Sequence, residues 1–148
     1  VEAPLTPEQL ARREAEERAR RAEIASRRAE NRRNQSLLET YSSVADIETR
    51  RDRALEGVDQ DLKRAEARQA QLLKKRESLN REAEFYAKRP MPAPLAAALR
   101  ESDSELAAQG SVIEAKKREV EAIRTRYEQD RIRYIALTEP RGTAPAPR

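Results

Sequence analysis

Three prolines in alternation, Pro90, Pro92 and Pro94 in the stretch RPMPAP, divide this chain into two long charged runs that no single helix can join. Proline removes a backbone donor and drives the residue before it out of helical geometry. On each side of the stop, apolar residues return in alternating steps of three and four, the spacing of a heptad seam. Over 44–89 one row reads Leu55, Leu62, Gln69, Arg76 and Ala83, and the other Val58, Ala65, Leu72, Leu79 and Tyr86. Over 95–138 one row reads Leu99, Leu106, Ile113, Val120, Tyr127 and Tyr134, and the other Leu95, Ser102, Gln109, Lys116, Ile123, Asp130 and Leu137. Two runs of nearly equal length about a helix stop describe an antiparallel hairpin. The expected fold is all-α: a long N-terminal helix, then a two-helix coiled-coil hairpin with residues 90–94 at its tip.

A turn centred near residue 92 sets a register in which the numbers of facing residues add to about 185. Val58 then meets Tyr127, Ala65 meets Val120, Leu72 meets Ile113, Leu79 meets Leu106 and Tyr86 meets Leu99, apolar on both sides. The other row pairs Leu62 with Ile123, Gln69 with Lys116, Arg76 with Gln109 and Ala83 with Ser102, and leaves Leu55 against Asp130. Flanking charges mostly suit this register: Asp52 falls near Arg131, Asp59 near Arg124, Glu66 near Lys117, Asp61 near Arg126 and Arg68 near Glu119, with Glu82 near Glu105 the one like-charge pair. Leu73 falls opposite Gly110, which leaves room for it. The polar layers weaken the seam and serve to fix its register, or they meet a third helix.

Upstream, Thr6, Pro7 and Gln9 form a helix start with a capping box. Residues 1–6 read as a flexible lead and 7–41 as an Arg/Glu-rich helix. Its apolar face is thin: Ala15, Ala19, Ala22 and Ala29 bury little area, and only Leu10, Ile24, Leu37 and Leu38 add to them. Such a helix is held by its own charges at i,i+4 spacing rather than by a core. Ser43 and Asp46 signal a second helix start. A break at 42–43 and an unbroken helix both stay open, because Leu37, Tyr41 and Val44 keep the heptad phase. The segment 139–148, rich in Pro and Ala, reads as a disordered tail or linker.

Composition narrows the chemistry. Of 148 residues, 39% are charged and 3% aromatic, too polar for a compact globule and apt for long helices. Cysteine and histidine are absent, so disulfides, thiolate nucleophiles, the usual zinc sites and imidazole bases are excluded. No phosphate-binding glycine loop occurs, and no apolar run reaches the length of a membrane span. The chain opens on Val1 with no signal-peptide pattern, which reads as a mature or trimmed product. Neither a cofactor nor a metal site is expected, and the chain reads as no enzyme.

Two surfaces are candidate contacts. At the tip, Pro90, Met91 and Pro92 form a pre-extended apolar knob for a protein partner. At the open end, Arg50, Arg51 and Arg53 lie opposite Arg131 and Arg133 beside the Arg-rich stem. Residues 11–33 alone hold nine arginines and five glutamates, a basic concentration suited to an acidic partner. That partner is an acidic protein, nucleic acid or anionic lipid. Tyr86, Tyr127 and Tyr134 sit on seam rows and read as core rather than stacking platforms.

The run SLLETYSSVADIETRRDRALEGVD, residues 36–59, resembles uncharacterised proteobacterial envelope proteins, a family of unknown function, chiefly in TYSS and RRDRAL. In those proteins a small domain precedes an Arg/Glu-rich helix and a long coiled coil. The resemblance implies an envelope or periplasmic location, with the cytoplasm as the alternative, and no known activity. The hairpin is also similar in architecture to the two-helix stalks and escort proteins of flagellar and type III secretion systems. The reading from the sequence is thus a non-enzymatic spacer or docking rod, with self-association into a four-helix bundle open. An electrostatic surface binder and an export chaperone are the alternatives.

Overall fold

A computed structural model describes residues 3–139. The helices are α1 (Pro7–Thr40), α2 (Val44–Glu84) and α3 (Ala93–Thr138), and no strand occurs among the described residues. A long helix is followed by two packed helices, a helical hairpin. Two compact units divide the described chain: residues up to Ile47 together with those from Asp130, and Glu48–Gln129. Most of the expected tail, from 140 on, lies outside the described residues.

The first helix begins as the sequence indicates. The Gln9 amide donates to Thr6 Oγ1 at 3.1 Å, and the Thr6 amide donates to Gln9 Oε1 at 2.9 Å, so two otherwise orphaned donors are satisfied reciprocally. No residue of α1 is buried. Alanine-rich sequence and pairs such as Glu23–Arg27 at 2.8 Å hold it, each pair adding about 0.2–0.5 kcal/mol. The chain breaks at 42–43, which settles the question left open at TYSS. Tyr41 is extended (φ −110°, ψ 139°) and caps α1. Ser43 Oγ then accepts from the Asp46 amide at 3.0 Å, while Asp46 Oδ2 accepts from Ser42 at 3.0 Å, opening α2.

Within Glu48–Gln129 the heptad rows form the sheltered faces. Val58, Ala65, Leu72, Leu95, Ile113 and Val120 are buried, and so is Ser102. The remaining row positions of this unit, including Gln69, Arg76, Gln109 and Lys116, are half-buried.

The register differs from expectation by one heptad. Cross-helix bonds join Arg76 to Asp103 (2.7 Å), Lys75 to Glu105 (3.5 Å), Lys116 to Asp61 (3.6 Å) and Gln109 Nε2 to the Ala65 carbonyl (2.9 Å). Facing residue numbers thus add to about 178 rather than 185. Val58 comes level with Val120, Ala65 with Ile113, Leu72 with Leu106, Leu79 with Leu99, Leu55 with Ile123 and Ala83 with Leu95. The cause lies at the tip. Instead of running to residue 89, α2 stops at Glu84, and α3 starts at Ala93 rather than 95. The midpoint of the turn moves toward the N-terminus and α3 moves with it. Asp61 therefore pairs with Lys116 instead of Arg126. Leu73 is 53% exposed, and nothing lies within 4 Å of a Cβ placed on Gly110, so Leu73 does not fill that space.

The polar rows are used, though not uniformly satisfied. Arg76 leaves the seam with its stem sheltered, donating to both carboxylate oxygens of Asp103 and to Asn80 Oδ1. Level with it, Ser102 is 0% exposed and its Oγ has no hydrogen-bond partner among the described residues. A buried hydroxyl left unpaired is unfavourable. Replacement Ser102→Ala is therefore expected to raise stability, by up to about 1 kcal/mol in urea unfolding. Adjacent leucines separate the buried face from the exposed one. Leu72→Ala should cost about 2–4 kcal/mol, and Leu73→Ala less than about 0.5 kcal/mol, in the same measurement.

Candidate functional site

The tip forms because Pro90 forbids helix at Arg89. Upstream, the last turn of α2 tightens into i→i+3 bonds: Phe85 to Glu82, Tyr86 to Ala83, Ala87 to Glu84 and Arg89 to Tyr86, at 2.9–3.3 Å. Downstream, the Pro92 carbonyl accepts from the Ala96 amide at 3.1 Å, so α3 starts immediately after it with Pro94 in its first turn. Phe85 lies off both heptad rows and is exposed, while Tyr86 stays half-buried on its row.

Phe85 is the most exposed large apolar residue described, at 64%. Its ring is nevertheless held. Tyr86 meets it edge-on, with centroids 5.2 Å apart and planes at 80°, and the Arg89 guanidinium lies 4.8 Å from its centroid. An exposed cation–π contact of this kind adds about 0.5–1 kcal/mol. Met91 is exposed, and so are Pro90, Pro92 and Pro94. The three tip residues expected as contacts are thus at the surface, joined by an aromatic that sequence reasoning passed over. The available signal was that Phe85 is the only phenylalanine and lies off both heptad rows, beside the prolines.

The expected basic base is largely committed to internal bonds, and its members belong to different units. Arg51 Nε donates to Asp52 Oδ1 at 3.0 Å. Arg50 also takes part in an interaction, and Arg53 is exposed. In the other unit, Arg133 straddles α1: Nε donates to Asn34 Oδ1 and a terminal nitrogen to Glu30 Oε1, both at 2.7 Å. Arg131 is half-buried and engaged as well. In that unit, Tyr41, Ile47 and Tyr134 are buried, Ile47 to 1%. The Tyr41 hydroxyl donates to Asp130 Oδ2 at 2.7 Å. Asp130, expected to face Leu55 as a mismatch, instead anchors the turn between α1 and α2. Arg133 is a structural clamp here rather than a free contact.

No arrangement of three or more acidic, histidine or cysteine side chains able to hold a metal occurs among the described residues. No described helix is long and apolar enough to cross a membrane. Comparison with family models, curated proteins and solved structures returns no match for this chain.

The clamp yields a graded expectation. Tyr41→Phe removes a part-buried bond to a carboxylate and should cost about 1.5–3 kcal/mol. Arg133→Ala removes an exposed clamp and should cost about 1 kcal/mol or less, with faster amide exchange at 30–40. Arg133→Lys should not restore protection, because an ammonium cannot bridge Asn34 and Glu30 in one fork.

Proposed function

We propose that the chain is a non-enzymatic adaptor: a coiled-coil spacer whose tip docks on a protein partner in the bacterial envelope. The observation that carries this reading is the tip surface. A phenylalanine 64% exposed is braced by Tyr86 and Arg89, and the same connector carries exposed Met91 and three exposed prolines. Exposed aromatic and methionine side chains with restricted motion are the residue types that dominate protein interfaces. A tightened turn and prolines lower the ordering cost of binding. The envelope assignment rests on the resemblance of residues 36–59. The absence of histidine and cysteine, and a seam of structural side chains, agree with a role in contact rather than chemistry.

A second reading has an observation of its own. No residue of α1 is buried, and its arginines line a solvated helix. That surface suits an acidic partner bound electrostatically, with an affinity that falls steeply as salt rises.

Photo-crosslinkers at Phe85 and Met91, with one at Arg53 for comparison, separate the two in the native cell. The adaptor reading expects a discrete protein captured at the tip, capture at Met91 reduced at least tenfold by Phe85→Ala, and a melting temperature for that variant lowered by no more than about 5 °C, the loss of its exposed ring contacts. Salt-sensitive capture at Arg53 alone, with none at the tip, would reject it in favour of the electrostatic surface.

A further inference from the structure

We infer that one side of α1 is a binding site for the phosphate groups of an anionic lipid bilayer, carried by the row Arg18, Arg21, Arg28 and Arg32. The inference rests on the second, electrostatic reading of α1 and commits it to one partner. With Ala25 between them, these arginines follow helical steps of three and four, so they share one side of the helix. The row runs over roughly 21 Å, fourteen residues at 1.5 Å each. All its arginines are exposed, and none has a hydrogen bond or ion pair among the described residues.

Such a row repels itself. Arg18 with Arg21 and Arg28 with Arg32 stand three and four residues apart, where like charges destabilise a helix. No residue of α1 is buried, and every side chain from Ala3 to Arg28 is exposed, so no core offsets that repulsion. An array of phosphates turns it into attraction. The choice of cation agrees. All nine cations of α1 are arginine and none is lysine, and the guanidinium fork meets a phosphate through two bonds at once.

Acids occupy the other side. Glu16, Glu23 and Glu30 recur every seven residues, roughly half a turn round from Arg21 and Arg28. Glu23 is bonded to Arg27 at 2.8 Å and Glu30 to Arg133 of α3 at 2.7 Å. Arg133 also donates to Asn34, so the acidic side is the one turned to the end of α3, and the arginine row is left to solvent. On the arginine side, Glu14 and Glu17 lie at the N-terminal end of the row, and the next acid is Glu39.

That sidedness selects the partner. A helix lying in a nucleic-acid groove has phosphates along both flanks, and the glutamate row would face one of them. A bilayer is met from one side only. Ile24, 51% exposed and one turn from both Arg21 and Arg28, is the large apolar residue beside the row. One such residue does not make the broad apolar face that sinks a helix into a membrane. The contact is therefore peripheral, electrostatic and reversible.

Co-sedimentation of the full chain with vesicles tests this. Phosphatidylcholine vesicles containing about one third phosphatidylglycerol should bind it, and phosphatidylcholine alone should not. Binding should fall as salt rises. Each arginine of the row should be worth about fivefold in partitioning, so Arg21→Gln with Arg28→Gln should weaken binding roughly twenty-five-fold, at unchanged helix content by circular dichroism. Lys63→Gln with Lys74→Gln, at exposed positions of α2, makes the same change in net charge and should leave binding within about twofold. Equal loss in the two variants would overturn the site. A short DNA duplex or polyglutamate bound more tightly than the vesicles would overturn the lipid assignment and leave the electrostatic reading standing. Failure to bind vesicles, duplex and polyglutamate alike would overturn both.

Discussion

Everything in the hairpin follows from where Pro90 lets α2 end. The residue before a proline is excluded from helical geometry, and the proline ring is incompatible with a helical carbonyl four residues back, here that of Tyr86. Helical i→i+4 bonding gives way to i→i+3 bonding from Phe85, and α2 stops at Glu84. A hairpin of two long helices has few other constraints on its register, since one heptad row looks much like the next. The length of the non-helical connector therefore decides which layers meet. Beside it, Phe85 lies off both heptad rows and is exposed, while Tyr86 stays half-buried on its row.

The seam is an economical one. Small and polar residues occupy positions where leucine would bury more area: Ala65, Gln69, Arg76, Ser102, Gln109 and Lys116. Arg76 and Lys116 shelter their stems and send their charges to Asp103 and Asp61 at the flank, and Gln109 donates to a carbonyl of the opposite helix. Exposed ion pairs each add little, so what these residues supply is placement more than stability. In the other unit the order reverses. Tyr41, Ile47 and Tyr134 are buried, and a short hydrogen bond to Asp130 fixes the turn. Against that, α1 is a solvated helix with no buried residue, held by its cap, its alanines and its own charge pairs.

The sequence made some of this legible and hid the rest for identifiable reasons. The helices, the Thr6 cap and the sheltered heptad rows were readable because periodicity and capping are local signals. Register was misread by one heptad because both pairings seat most of the apolar row positions, and the helix end at Glu84 that separates them gives no periodic signal. Tyr41 kept the heptad phase, which hid its role as the cap of α1. Asp130 looked like a mismatch against Leu55 because its true partner lies 89 residues away in the chain. At the candidate contacts, Met91 and its prolines were visible as an exposed connector. Phe85 was not, since a residue off the seam gives no periodic signal. Arg133 looked free in sequence because its partners, Glu30 and Asn34, sit on α1, about a hundred residues away in the chain.

The measurement that bears most directly on this account is the distance between spin labels at Glu56 and Ala122, exposed residues far from the tip and level with each other across the hairpin. Two packed helices with labelled side chains place them roughly 20–30 Å apart. The account predicts that one such distance persists when labelled chains are diluted with unlabelled ones. Helices running on without folding back would separate the labels by at least roughly 60 Å, and a short distance that vanished on dilution would come from pairing between chains. Either result would contradict an intramolecular hairpin closed at RPMPAP.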